Sequence, residues 1–162
     1  MMTKETNTID MKARITAIYV SPSATLLPHT VDEVGAHARR GLVGDRYFYG
    51  CGTFSDMDPK GPGRELTLIE SEVLADLQLS AAEARRNLVT EGIQLNELVG
   101  VKFRIGEVLI EGIRLCHPCA HLDKVTGMKL LKPLENRGGL RASILSDGII
   151  RTGDVITRVA ES

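Results

Sequence analysis

At 162 residues the chain has the length of one domain, enough to bury about 70% of its unfolded surface without disulfide or metal staples. A formal net charge of -1 provides no basic field for nucleic acid, and three Phe, three Tyr and no Trp provide no platform for stacking bases. The polar N-terminus has no secretory leader, no run of 18 apolar residues could cross a membrane, and three cysteines make no disulfide framework; the expected compartment is a reducing cytoplasm.

In chain order, residues 1–11 read as a disordered tail and residues 12–162 as one domain. Residues 12–20 (KARITAIYV) are rich in β-branched and apolar side chains and stop at Ser21-Pro22, the pattern of a strand and its turn. The Gly- and Pro-rich stretch 50–63 predicts a long loop. Residues 64–70 (RELTLIE) alternate Leu66 and Leu68 with polar neighbours, predicting a half-buried strand. Ser71 then reads as a helix N-cap, with Val73, Leu74 and Leu77 at helical spacing. Ser80 and Glu83 are spaced for a capping box on a second short helix. The C-terminal half consists of short β runs: residues 103–108 turn at Gly106, residues 108–115 form a strand, and residues 155–159 form the last one. Asp147-Gly148, between the apolar pairs Ile144-Leu145 and Ile149-Ile150, predicts a two-residue type I′ hairpin turn. The predicted fold is mainly β with short helices, a closed β-barrel or a sandwich.

Chemistry concentrates in four places. Cys116-His117-Pro118-Cys119-Ala120-His121 gathers two thiols and two imidazoles, which suits a metal. A closed zinc site needs a second ligand pair, and the remaining His29, His37 and Cys51 supply none. A redox CxxC normally opens a helix in a βαβ context that this chain lacks, and two ordinary buried cysteines are the plain alternative. Arg85-Arg86-Asn87 presents planar donors for phosphate or carboxylate, or else a solvated helix face. Arg137-Gly138-Gly139-Leu140-Arg141 lets backbone N–H groups approach an anion, or else makes a simple turn. Gly41-Leu42-Val43-Gly44-Asp45-Arg46 is a tight loop that by itself says little.

Taken together and in order, several segments resemble the MOSC domain, named for the C-terminal domain of molybdenum cofactor sulfurases. They are Gly41 to Arg46, Arg64 to Glu70, Arg86-Asn87-Leu88-Val89-Thr90-Glu91-Gly92-Ile93, Leu98-Val99-Gly100 with Phe103 to Gly106, Leu115 to Cys119, and Arg137 to Ala142. The likeness is to short, stand-alone bacterial members and runs from Ile15 to Val159. It implies a closed barrel like that of pyruvate kinase and a pterin-type molybdenum cofactor, with Cys119 as catalytic residue and metal ligand. Arg86, Asn87, Arg137, Gly138, Gly139 and Arg141 would face the cofactor's phosphate or an oxyanion, and Arg86→Ala would leave stability nearly unchanged. The implied activity is oxidoreductase chemistry on N-hydroxylated or related small substrates, with an electron-transfer reductase as partner. The alternatives are a carrier of persulfide sulfur or of cofactor to a receiving enzyme, and a non-catalytic metal module using Cys116, His117, Cys119 and His121. Pyridoxal phosphate finds no support, because nothing marks a Schiff-base lysine. Neither nucleic acid nor membrane is an expected partner.

Overall fold

The computed structural model describes residues 13–22, 28–45, 65–116 and 138–159. Along the chain these form β1 (Arg14–Val20), β2 (His29–Val31), β3 (Glu33–His37), β4 (Gly41–Leu42) and β5 (Leu66–Glu70). Two short helices follow, α1 (Ser71–Leu77) and α2 (Ala81–Ala84), then β6 (Leu88–Glu91) and a 3-10 turn (Leu95–Leu98). The remaining strands are β7 (Lys102–Ile105), β8 (Val108–Leu115), β9 (Leu140–Ile144), β10 (Gly148–Arg151) and β11 (Ile156–Arg158). The predicted tail and the loop over 50–63 lie outside the described residues.

Eight strands form one sheet in the order β11-β7-β8-β9-β5-β6-β1-β2, and β10-β3-β4 form a second. Only β5 and β6 pair in parallel among the listed pairs of the large sheet, and α1 with α2 supply the crossover such a pair requires. The large sheet curls into a half-barrel. At one corner its ends meet: Ile15 donates to the Asp154 carbonyl (2.9 Å), Gly153 to Ile15 (2.7 Å) and Ile156 to Ala13 (2.9 Å). Among the described residues, closure is confined to that corner, short of the full barrel expected.

Strand alternation divides the apolar residues between two cores. Ile15, Ile18, Leu66, Leu68, Leu88, Phe103, Ile110, Leu140, Ala142 and Ile144 point into the curl. Ile69 and Val89 point outward and are covered by Val73, Leu74 and Leu79 from the helical crossover. The capping box forms as its spacing predicts, with Glu83 N donating to Ser80 Oγ and Ser80 N to Glu83 Oε1, both 3.1 Å. Gly106, at φ 59°, turns the β7–β8 hairpin between paired Ile105 and Val108.

Two local expectations need correction. The N-cap of α1 is Glu70, which makes no side-chain cap bond; Ser71 is already helical. Asp147-Gly148 is not a hairpin turn. Ile144 pairs with Ile110 in the large sheet, whereas Ile149 and Ile150 pair with Gly35 and Val34 in the small one. The dipeptide is thus a corner between sheets, held where Ala38 N donates to Asp147 Oδ1 (2.8 Å). Gly148 has no positive φ; it is small because a Cβ there would stand 2.9 Å from Val108 Cγ2.

Candidate functional site

The outward face of β5 and β9 carries polar side chains where an ordinary sheet packed under other chain would carry apolar ones. Leu66 and Leu68 alternate inward, so Glu65 and Thr67 face out; Leu140, Ala142 and Ile144 alternate inward, so Arg141 and Ser143 face out. Register sorts them into rows. Thr67 stands opposite Arg141, and Arg141 opposite Arg114 of β8. One step along, Ser143 stands opposite Glu111 of β8, with Glu65 on its other side next to the Leu66–Ala142 pair. Thr67 and Ser143 are 7% exposed and Glu65 8%. Burial of such groups is costly unless each is bonded, so a contiguous polar patch beneath cover points to function.

The loop between α2 and β6 edges this patch. Arg85 closes α2 in the left-handed region at φ 57°, redirecting the chain so that Arg86 and Asn87 lie buried against the sheet. The Asn87 amide joins two strands. Its Oδ1 accepts from Thr67 N (3.1 Å) and Thr67 Oγ1 (3.2 Å), while its Nδ2 donates to the Tyr19 carbonyl (3.1 Å). Its backbone is held as well, donating to Thr67 Oγ1 (3.0 Å) and accepting from Tyr19 N (2.6 Å).

Arg86 stretches to the start of β9. Its Nε donates to the Gly138 carbonyl (2.9 Å) and its NH1 to the Ala84 carbonyl (3.1 Å). The residue is 8% exposed and makes no ion pair among the described residues. Its NH2 lies 3.5 Å from the point a Gly138 Cβ would occupy, and the Cys116 carbonyl lies 2.1 Å from that same point. Gly139, at φ 100°, lets the backbone pass so close to β5 that a Cβ would stand 1.9 Å from the Leu68 carbonyl. Cys116 N donates to the Gly139 carbonyl (2.8 Å), tying the end of β8 to the start of β9.

Burial pushes the Glu65 carboxyl above the usual carboxylate range; hydrogen bonds from the Ser143 hydroxyl, its own N–H and Ile144 N–H, and the charge of Arg39, pull less strongly the other way. Glu65 Oε1 has no hydrogen-bond partner.

Of the residues expected at a site, Arg86, Asn87, Gly138, Gly139 and Arg141 therefore border this one patch. Cys119 and Arg137 lie outside the described residues, as do Cys51, His117 and His121. Among the described residues no three His, Cys, Asp or Glu cluster as a metal site, and no helix is long and apolar enough to cross a membrane. Arg86 is no surface residue, so the expectation that Arg86→Ala leaves stability untouched is withdrawn: the change removes two buried bonds. Sequence reasoning missed Glu65, Thr67 and Ser143. Their alternation with leucine and isoleucine was visible, but the polar side of a strand is read as facing water unless something is known to cover it.

A family model described as MOSC domain matches residues 62–157. No curated protein matches the chain in sequence. Among solved structures, the YuaD protein from Bacillus subtilis is similar at a TM-score of 0.72 and 14% identity, over 93% of this chain and 97% of that one. YiiM from Geobacillus stearothermophilus is similar at 0.69 and 16% identity, over 91% of this chain and 75% of that one. YiiM from Escherichia coli is similar at 0.63 and 22% identity, over 92% and 71%. At these identities the likeness is one of fold.

Proposed function

The chain belongs to the MOSC domain family, and from that premise we propose that it binds a pterin-type molybdenum cofactor through the Cys119 thiolate. The cofactor would serve oxidoreductase chemistry on N-hydroxylated or related small substrates, with an external reductase as electron donor. The observation that carries the reading is Arg86, a guanidinium 8% exposed and without an ion pair among the described residues. A buried charge is stable only when matched, and a phosphate leaving bulk water needs charge-assisted donors in return. Arg86 NH2 points toward the close-packed Gly138 and Cys116 backbone, so an anion there meets a charged donor at a rigid position. The chemistry of this donor set fits the phosphate of a pterin cofactor.

Bound, the group would supply a redox metal that prefers thiolate ligation. The chain's own residues do the rest. Arg86 grips and orients the anion, and Asn87 fixes the backbone from which Arg86 reaches. Cys119 is three residues beyond Cys116, and an extended chain covers about 3.3–3.6 Å per residue, so its Cα falls within about 11 Å of that of Cys116. Cationic neighbours favour the thiolate over the thiol.

The test is to purify the protein from a host that makes molybdenum cofactor, then measure metal content and the fluorescence of oxidised pterin. The expected result is molybdenum and pterin together in the wild type, neither in Cys119→Ser, and both largely kept in Cys116→Ser. Arg86→Lys keeps the charge but loses the planar fork, so it should lower pterin occupancy without unfolding the chain. Zinc alone, or bound sulfur without molybdenum, would replace the proposal with a metal module or a sulfur carrier.

A further inference from the structure

We infer that Glu65 and Arg141 form a subsite for a small oxyanion, in which the Glu65 carboxylic acid donates a hydrogen bond from its partnerless oxygen to an anion held by the Arg141 guanidinium. The inference goes beyond the cofactor reading and would stand without it.

Geometry comes first. Alternation places Glu65, Thr67, Arg141 and Ser143 on one face of β5 and β9, where Thr67 and Arg141 are directly paired. Glu65 is then a diagonal neighbour of Arg141, roughly 7–8 Å away between backbones, within reach of long side chains. Glu65 is more than nine-tenths buried, and its Oε1 has no partner. Leaving a buried polar atom unmatched is unfavourable by about 1–3 kcal/mol, so such an atom calls for an explanation. A ligand that meets it only when bound is one.

Chemistry then selects the ligand. The protein groups that hydrogen-bond to the carboxyl are the Ser143 hydroxyl and the N–H groups of Glu65 and Ile144, all able to donate. A proton on the carboxyl therefore belongs on the oxygen that no donor occupies, from where it can only be given to an acceptor. Beside an arginine, the fitting acceptor is an anionic oxygen. The charged groups around Glu65 are Arg39 and Arg40 on the turn between β3 and β4, Arg141 on β9, Glu111 on β8 with Lys102 across from it, and Arg85 and Arg86 before β6. Positive groups outnumber negative ones, which suits an anion more than a cation. Burial keeps the carboxyl neutral above the usual range for a glutamate, and an arriving anion strengthens that preference. Binding is thereby accompanied by proton uptake whenever Glu65 is ionised in the free protein.

Sulfate is the probe, because its charge stays fixed through the neutral range. Titration calorimetry on the full chain, from pH 5.5 to 8.5 in buffers of different ionisation enthalpy, counts protons taken up with the anion. In wild type, affinity should fall about tenfold per pH unit above the Glu65 pKa, with proton uptake approaching one. Glu65→Gln retains an N–H donor, so it should bind sulfate with no pH dependence and no proton uptake; Glu65→Leu and Arg141→Gln should each weaken binding at least tenfold. A second readout needs no variant: the infrared carbonyl band of a protonated carboxyl should grow when sulfate is added near the Glu65 pKa. The inference is overturned by absence of sulfate binding, by equal proton uptake in wild type and Glu65→Gln, or by an infrared band indifferent to sulfate. Molybdenum content is measured separately, so a protein that holds the cofactor yet fails here sinks only this inference, and the converse sinks only the cofactor reading.

Discussion

Replacing Asn87 with alanine removes the amide that joins β5 to β1, and its consequence can be worked out bond by bond. The Thr67 N–H loses its only acceptor of record, Oδ1 at 3.1 Å, in a fully buried position, which costs about 1–3 kcal/mol. The Tyr19 carbonyl loses Nδ2 at 3.1 Å in a half-buried position, for about 0.5–1.5 kcal/mol more. The Thr67 hydroxyl can rotate without loss, since it still accepts from the residue 87 N–H at 3.0 Å. The expected total is about 2–4 kcal/mol, a fall in Tm of about 5–12 °C for a chain of this size. With no Trp in the chain, far-UV circular dichroism is the natural probe for urea and thermal unfolding. Asn87→Asp separates bonding from bulk. It keeps the acceptor for Thr67 but turns a second oxygen toward the Tyr19 carbonyl and buries a charge. That aspartate's folded pKa is raised, so its stability deficit should be large at pH 7 and shrink as pH falls toward 4. Should Asn87→Ala prove as stable as wild type within about 0.5 kcal/mol, the amide is not the strap described, whatever its distances.

Three further outcomes follow from the same geometry. Gly139→Ala should lose several kcal/mol or yield no folded protein, because its Cβ would lie 1.9 Å from the Leu68 carbonyl; Gly100→Ala, also at positive φ but with nothing within 4 Å, should lose only about 1–2 kcal/mol, and equal effects on Tm would refute the close-approach argument. Ser80→Ala dissolves the capping box on α2 and should destabilise by about 1 kcal/mol in urea titrations, an effect absent if the box contributes nothing. Glu65 has a folded pKa above its unfolded value, so its contribution to stability is complete below the unfolded pKa and declines as pH rises through the folded one; Glu65→Gln should therefore gain on wild type between pH 4.5 and 8, and parallel pH curves would contradict the shift.

What was legible in the sequence was mostly local. The strand over 12–20, the Gly106 turn and the Ser80 capping box depend on near neighbours, and each formed where its residues indicated. Motif order was legible too, since six modest segments in register identified the family. Long-range partners were not. Asp147-Gly148 has hairpin composition, yet Ile149 and Ile150 gain more from pairing with β3 than from folding back on β9. Asn87 resembled a ligand-binding amide, while its hydrogen bonds go to Thr67 and Tyr19, 20 and 68 residues away. Glu65 and Thr67 looked like the wet side of a strand, because no local pattern reveals that the face above them is covered.

The bond from Cys116 N to the Gly139 carbonyl has an evolutionary consequence. It makes exit and return of the intervening chain neighbours on the frame, so the ends of that insertion are joined whatever its length. Closing a loop between fixed ends becomes harder only with the logarithm of its length, by about 0.6 kcal/mol for each doubling. Descendants of this chain can therefore lengthen, shorten or exchange the stretch between residues 116 and 139, and so alter what they recognise, while Arg86, the two glycines and the buried sheet face stay where they are.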